Sequence, residues 1–127
     1  MHWDGKILPE VMPTERVDRM AVLVSGVRII KLLGVPNISN GTGKLQAEAV
    51  FQLLEDWKLC EGVQSMCFDT TASNTSPKNG ACVLLEEMQQ RDLVNLACRH
   101  HIMEMLIAKV FAAVVEKATS GPDIKLF

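Results

Sequence analysis

The order of short apolar runs and helically spaced segments limits the fold of this chain more than any other feature. The beginning of the chain holds short apolar runs, rich in β-branched residues and closed by proline or glycine, which predict strands. Farther along, segments with apolar residues every three or four positions predict helices. The predicted strands are residues 1–9, 17–25, 27–35, 63–69 and 93–98, and the predicted helices are residues 44–58, 78–91 and 99–118.

This order predicts an α/β fold, with one mixed sheet and flanking helices in the order strand, strand, strand, helix, strand, helix, strand, helix. A helix at residues 28–33 is the competing prediction for the third strand. The boundaries depend on turn and capping residues, namely a turn at Ser25-Gly26, an N-cap at Thr42, and an N-cap at Ser76 followed by Pro77.

The last predicted helix is apolar around most of its second half. One face carries Ile102, Met105, Leu106, Val110 and Ala113, and further apolar residues surround it. A helix of this composition is either buried in the core or packed against a partner surface.

Composition and charge exclude several classes of protein. The chain has 127 residues, of which 48% are hydrophobic and 22% charged, which is typical of one globular domain. Its net charge of −2 argues against an autonomous nucleic-acid-binding domain, so any DNA contact must be local or use metal ions. The four cysteines show no disulfide spacing, and no segment reaches the roughly 18 apolar residues of a membrane span. An intracellular, non-membrane protein with reduced thiols is expected.

Asp69 is the most suggestive candidate for chemistry. It ends the apolar run Met66-Cys67-Phe68 and is followed by a polar loop. Open α/β sheets place ligand-binding groups at the carboxyl ends of their strands. The alternative is an Asx turn, in which the Asp69 side chain accepts hydrogen bonds from backbone amides two or three residues later.

Asp4 lies on the first predicted strand, beside Trp3, which is predicted to anchor the core. Taken alone, Asp4 is typical of a solvated residue near a chain end. If the first and fourth strands are parallel neighbours, however, Asp4 and Asp69 point into one site. Two close carboxylates either share a proton or bind cations, and carboxylate oxygens suit Mg²⁺ or Mn²⁺. Two such ions can clamp both the attacking and the leaving oxygen of a phosphodiester.

Cys98 and His101 form a Cys-x-x-His sequence at the start of the last helix. This is half of a zinc site, and no second ligand pair has suitable spacing, so we do not expect zinc. A buried Cys98 with a hydrogen-bonded His101 is the simpler interpretation, and a nucleophilic Cys–His pair lacks an orienting acid. Asn74, in the polar loop after Asp69, could contact a substrate, support a metal ligand, or simply form a turn.

Several ordered motifs together carry a resemblance to a known family. They are His2-Trp3-Asp4-Gly5-Lys6, Cys67-Phe68-Asp69-Thr70-Thr71-Ala72-Ser73-Asn74-Thr75, Gly80-Ala81-Cys82-Val83-Leu84-Leu85-Glu86 and Leu96-Ala97-Cys98-Arg99-His100-His101. The set resembles transposon-derived proteins of invertebrate genomes and, more widely, hAT-like DDE transposases with a ribonuclease H-like domain.

The resemblance implies a fold, a site and a reaction. It implies a ribonuclease H-like mixed sheet in which Asp4 and Asp69 are the first two catalytic, metal-binding acids. Asn74 lies near the family's asparagine, and Cys98 with His101 matches its Cys-x-x-His. The implied reaction is Mg²⁺- or Mn²⁺-dependent cleavage and transfer of DNA strands, with DNA as partner and a nuclear location.

The third acid of the family, a glutamate after a helical insertion, has no evident counterpart. Glu104 is a poor substitute, since its position corresponds to a packing or polar residue in the family. Residues 1–127 are therefore expected to be a partial domain, inactive alone. Two other functions stay open. One is a non-catalytic interaction module whose last helix pairs with another copy or a larger protein. The other is a phosphatase-like hydrolase with Asp69 as nucleophile, although Thr71 stands where such enzymes carry their second aspartate.

Overall fold

The computed structural model describes the backbone of residues 1–9 and 16–114, and the side chains of residues 1–3 and 19–114. Within these ranges the strands are β1 (His2–Pro9), β2 (Arg16–Gly26), β3 (Ile29–Gly34), β4 (Asn37–Ile38), β5 (Ser65–Phe68) and β6 (Val94–Ala97). The helices are α1 (Gly43–Asp56), α2 (Ala72–Thr75), α3 (Ala81–Gln89) and α4 (Arg99–Val114).

All the described strands belong to one mixed sheet, in the order β3-β2-β1-β5-β6, with the short β4 paired to β2. The pairs β1–β2 and β2–β3 are antiparallel, while β1–β5 and β5–β6 are parallel. The predicted α/β class, mixed sheet and flanking helices are confirmed. The third segment is a strand and not the competing helix, because its residues pair with β2 over Ile29–Gly34.

The core lies between the sheet and helices α1 and α3. Alternate residues of β2, Met20 and Val22, are buried completely, as a strand with one covered face requires. Val50 and Leu54 of α1 and Leu85 of α3 are also buried completely. The predicted inward faces of these two helices are therefore confirmed at their centres.

Helical spacing predicts Trp57 on the same face as Val50 and Leu54, but its side chain is 41% exposed. It follows the end of the helix, and its indole N–H donates to the Leu33 carbonyl oxygen. The predicted anchor Trp3 is buried.

Two local predictions are wrong. The turn after β2 is at Val27-Arg28 and not at Ser25-Gly26, because strand pairing continues to Gly26 opposite Ile29. Arg28 supplies the left-handed backbone of this turn, with φ of 63°. Ser76 does not cap the second long helix. That helix begins at Ala81 after Gly80, since residues 72–79 are taken up by α2 and a following turn.

The last predicted helix forms over the described residues as α4, and residues 115–118 lie outside the described ranges. None of its residues is buried. Its neighbour β6 is also exposed along its length. Burial of this helix in the core of the described chain was one of two expectations, and it is wrong. No described helix is long and apolar enough to cross a membrane.

Candidate metal-binding site

Asp69 follows the last residue of β5, where the chain leaves the sheet. Its carboxylate Oδ1 accepts three hydrogen bonds: from the Thr71 backbone N–H at 3.1 Å, the Thr71 hydroxyl at 2.6 Å and the Asn74 amide Nδ2 at 2.6 Å. The bond from the Thr71 amide is the Asx turn that was weighed against a functional role. The turn and a ligand role are compatible, because it uses one carboxylate oxygen only.

The hydroxyl groups around Asp69 form a directed chain. The Thr71 hydroxyl has one hydrogen, which it donates to Asp69. Its 3.0 Å contact with the Ser73 hydroxyl must therefore have Ser73 as the donor. The donors thus point toward the carboxylate, which is the arrangement that stabilises an ionised aspartate.

Asn74 connects Asp69 to the core. It lies in the short α2, and its residue is only 3% exposed. Its Oδ1 accepts a hydrogen bond from the Trp3 indole N–H at 3.1 Å, and its Nδ2 faces Asp69. The Trp3 ring packs against Phe68 of β5, with centroids 5.4 Å apart. A buried link therefore runs from the first strand to the acid.

The surroundings of Asp69 hold its pKa below the ordinary value of 3.8. Partial burial acts in the opposite direction, since it disfavours the charged carboxylate. Hydrogen bonds from Thr71 and Asn74, together with the nearby His101, outweigh this effect. Asp69 is consequently ionised at neutral pH and available to a cation.

Strands β1 and β5, which precede or contain the two predicted acids, are parallel neighbours. His2 of β1 is paired with Cys67 of β5. Asp4 lies two positions after His2, and Asp69 lies two positions after Cys67, just beyond the end of β5. The Asp4 side chain lies outside the described residues. Strands β1 and β5 are thus adjacent, as the predicted pairing of Asp4 with Asp69 requires.

Cys98 and His101 lie at the same edge. The Cys98 amide donates to the Phe68 carbonyl oxygen at 2.8 Å, and the Cys98 carbonyl accepts from Ile102 as α4 begins. The Cys67 pKa is raised by burial and then by the charge and hydrogen bonding of the neighbouring Cys98 thiol. The Cys-x-x-His sequence therefore joins the start of α4 to the end of β5, beside Asp69.

Among the described side chains, no group of three or more histidines, cysteines, aspartates or glutamates could hold a metal ion. Asp69 is a hard oxygen donor and fits Mg²⁺ or Mn²⁺, but a full ligand set would need Asp4 and further groups. Glu104 lies on α4, is exposed, and makes no described contact with Asp69.

Two glycines hold the loop that carries Asn74. A Cβ atom on Gly80 would meet the Ser76 and Asn74 carbonyl oxygens at 2.5 and 2.6 Å. A Cβ atom on Gly43, at the start of α1, would collide with the Asn79 and Ser73 carbonyl oxygens. Only glycine permits these approaches, so the backbone around Asn74 is tightly packed.

Sequence reasoning missed two parts of the site. Trp3 was predicted only as a core anchor, although a buried indole N–H needs an acceptor, and this signal could have pointed to a polar partner. The Thr71 hydroxyl was also missed, since only its backbone amide was expected to contact Asp69.

An open concavity lies next to this loop. It has a volume of about 820 Å³ and is lined by residues that include Lys44, Ser73, Ser76 and Asn79. Most of its surface is apolar, and Lys44, Ser73, Ser76 and Asn79 provide its polar groups beside the loop after Asp69. No protein family, curated protein or solved structure matches this chain.

Proposed function

We propose that this chain is part of the catalytic core of a DDE-type DNA transposase of the hAT-like kind, with a ribonuclease H-like fold. One observation supports the proposal: β1 pairs in parallel with β5, with His2 opposite Cys67, and Asp4 and Asp69 each follow these residues by two positions. The element order, with three antiparallel strands before the parallel β5 and β6, agrees with the fold that the resemblance implies.

Asp69 and Asp4 would hold the divalent cations of such a site. When bound, Mg²⁺ or Mn²⁺ would activate the attacking oxygen and stabilise the leaving oxygen of a phosphodiester. Asp69 contributes an ionised carboxylate whose Oδ1 is held by Thr71 and Asn74. These neighbours fix the carboxylate before a cation arrives, which lowers the entropy cost of binding.

The substrate of the parent reaction would be DNA, and the protein would act in the nucleus. The net charge of −2 gives little general attraction to DNA, so the cations and the concavity beside Lys44 would have to supply local contacts. We propose that the chain is inactive alone, because no third acid joins Asp69 among the described residues.

The proposal is tested by measuring thermal unfolding with increasing Mg²⁺ or Mn²⁺. A cation that binds only the folded protein stabilises it by about 1.4 kcal/mol at tenfold its Kd. We expect a rise in Tm for the wild type and none for Asp69→Asn, which keeps the shape but loses the charge. Asp4→Asn should reduce the gain, while Asp56→Asn, on the exposed end of α1, should leave it unchanged. A wild-type Tm that does not respond to either cation contradicts the proposal.

A second candidate function is favoured by the exposure of α4. Its apolar residues Leu106, Ile107, Val110, Phe111 and Val114 line one continuous open depression. Val110 is 63% exposed and Val114 75%. An apolar surface of this kind is typical of an interaction site.

We propose for this candidate that α4 pairs with a second copy of the chain, which makes the domain a non-catalytic interaction module. Arg99, Glu104 and Lys109 sum to a charge of only +1 on α4, so repulsion between two copies is small. Val94 and Leu96 of β6, the strand that precedes α4, are also exposed.

Sedimentation equilibrium over a range of concentrations tests the pairing. The wild type should form dimers, and Leu106→Asp should shift it to monomers without lowering its Tm by more than a few degrees. Thr75→Asp, an exposed change away from α4, is the matched control. A wild type that stays monomeric at high concentration contradicts self-pairing.

A further inference from the structure

A buried chain of hydrogen bonds ends on one oxygen of Asp69. Trp3 donates its indole N–H to Oδ1 of Asn74, and Asn74 donates Nδ2 to Oδ1 of Asp69. An indole can only donate, so the Asn74 carbonyl oxygen must face Trp3 and its NH₂ group must face Asp69. Trp3 therefore determines which end of the Asn74 amide meets the acid.

The two oxygens of Asp69 are unequal as a result. Oδ1 accepts from Asn74 and twice from Thr71, which exceeds the roughly two lone-pair positions of one carboxylate oxygen. The described residues donate no hydrogen bond to Oδ2. Among the described side chains, the protein therefore holds Oδ1 and leaves Oδ2 without a donor.

We infer that Trp3 and Asn74 are positioning residues that orient the Asp69 carboxylate so that Oδ2 alone binds a divalent cation. The inference rests on the metal-binding role proposed for Asp69 and adds the residues that act through it. Packing supports it, since Trp3 is held by Phe68 and the Asn74 loop by Gly80. Partners behind a metal ligand of this kind commonly change metal affinity by about 10- to 100-fold.

The test compares Trp3→Phe with Trp57→Phe. Trp3→Phe keeps an aromatic ring against Phe68 but removes the N–H that orients Asn74. Trp57→Phe removes an equivalent indole N–H, donated to Leu33 at 3.0 Å, outside the site. In a Mg²⁺ titration followed by NMR, we expect Trp3→Phe to raise Kd by about tenfold. Trp57→Phe should change Kd by less than twofold.

A second readout needs no cation. In the absence of Mg²⁺, the Asn74 side-chain amide protons of the wild type should exchange slowly with solvent. Trp3→Phe should accelerate this exchange, whereas Trp57→Phe should not. A merely structural role of Trp3 would change Tm without this selective loss of protection at the Asn74 amide.

The wild type also gives an answer if Trp3→Phe fails to fold. Mg²⁺ should then shift the indole N–H resonance of Trp3 and leave that of Trp57 in place, and an unmoved Trp3 signal during binding overturns the inference. Binding that requires Asp69 but is equal in Trp3→Phe and wild type overturns the inference and leaves the proposed function standing. If no Mg²⁺ binds to the wild type, the proposed function and the inference fail together.

Discussion

Replacing Asn74 by alanine removes the connection between the core and the acid, and its cost can be worked out from the structure. The Trp3 indole N–H loses its buried acceptor, and an unpaired buried donor costs about 1–3 kcal/mol. The hydrogen bond to the ionised Asp69 is also lost. Such bonds contribute about 1.5–3 kcal/mol, and the lower end applies because Asp69 is only partly buried. We expect a loss of about 2–4 kcal/mol in the free energy of unfolding at pH 7.

Part of this loss of stability depends on pH, and the pKa of Asp69 determines whether the loss grows or shrinks as the pH falls. The pKa of Asp69 is lowered from 3.8 in the folded protein. The ionised carboxylate therefore stabilises the fold above pH 3.8, and this stabilisation disappears as the pH falls through the pKa of the folded state. Asn74→Ala removes one cause of the lowered pKa. The difference in stability between wild type and Asn74→Ala should therefore be smaller under strongly acidic conditions than at pH 7.

Urea denaturation at pH 7 and at a pH well below 3.8 measures both the pH-independent and the pH-dependent loss of stability. Asn95→Ala is the matched control, because Asn95 makes only a long, exposed contact with Glu86 at 3.4 Å. It should change stability by less than about 0.5 kcal/mol at either pH. A loss for Asn74→Ala that is the same at both pH values would refute the coupling to an ionised Asp69.

Two further predictions concern packing. Gly80→Ala should destabilise the protein by at least about 2 kcal/mol, because the new Cβ atom meets backbone oxygens. Gly26→Ala should be nearly neutral, because no atom lies within 4 Å of the added Cβ atom. Thermal unfolding of both variants tests this difference. Leu85→Ala, in the core, should cost about 2–5 kcal/mol, whereas Leu106→Ala, on the exposed α4, should cost less than about 0.5 kcal/mol under conditions that keep the protein monomeric. A similar cost for both leucines in urea denaturation would show that α4 is packed in the monomer.

Local patterns in the sequence were sufficient to predict the longer elements, whereas the short β4 and α2 lie in segments predicted as loops. The short, branched apolar run Ala21–Val24, followed by Gly26, identified β2, and the helical spacing of Val50 and Leu54 identified α1. Helix starts were harder to predict. Ser76-Pro77 looks like a cap, but the following turn places the helix start at Ala81, because Gly80 must pass close to the Asn74 backbone.

The site depends on contacts between residues distant in the sequence, and these explain what could not be predicted. Asp69 was recognisable because it ends an apolar run. Its partner Asn74 was noticed as a polar residue, but the bond from Trp3 to Asn74 spans 71 positions. No local pattern encodes which buried indole meets which amide, since that choice follows from the parallel pairing of β1 with β5.

Both proposed roles of the chain, cation binding and self-pairing, involve the first turn of α4. Cys98 ties this turn to the Phe68 carbonyl, and His101 lies close enough to Asp69 to lower its pKa. The rest of the helix, from Ile102 to Val114, is exposed. A second copy covering that surface would also restrain the turn beside the acid. Self-pairing and cation binding would then act on the same residues, and any coupling between them must be reciprocal. Self-pairing through α4 and cation binding at Asp69 are thus not exclusive, since the helix available for pairing begins beside the end of β5 that leads into Asp69.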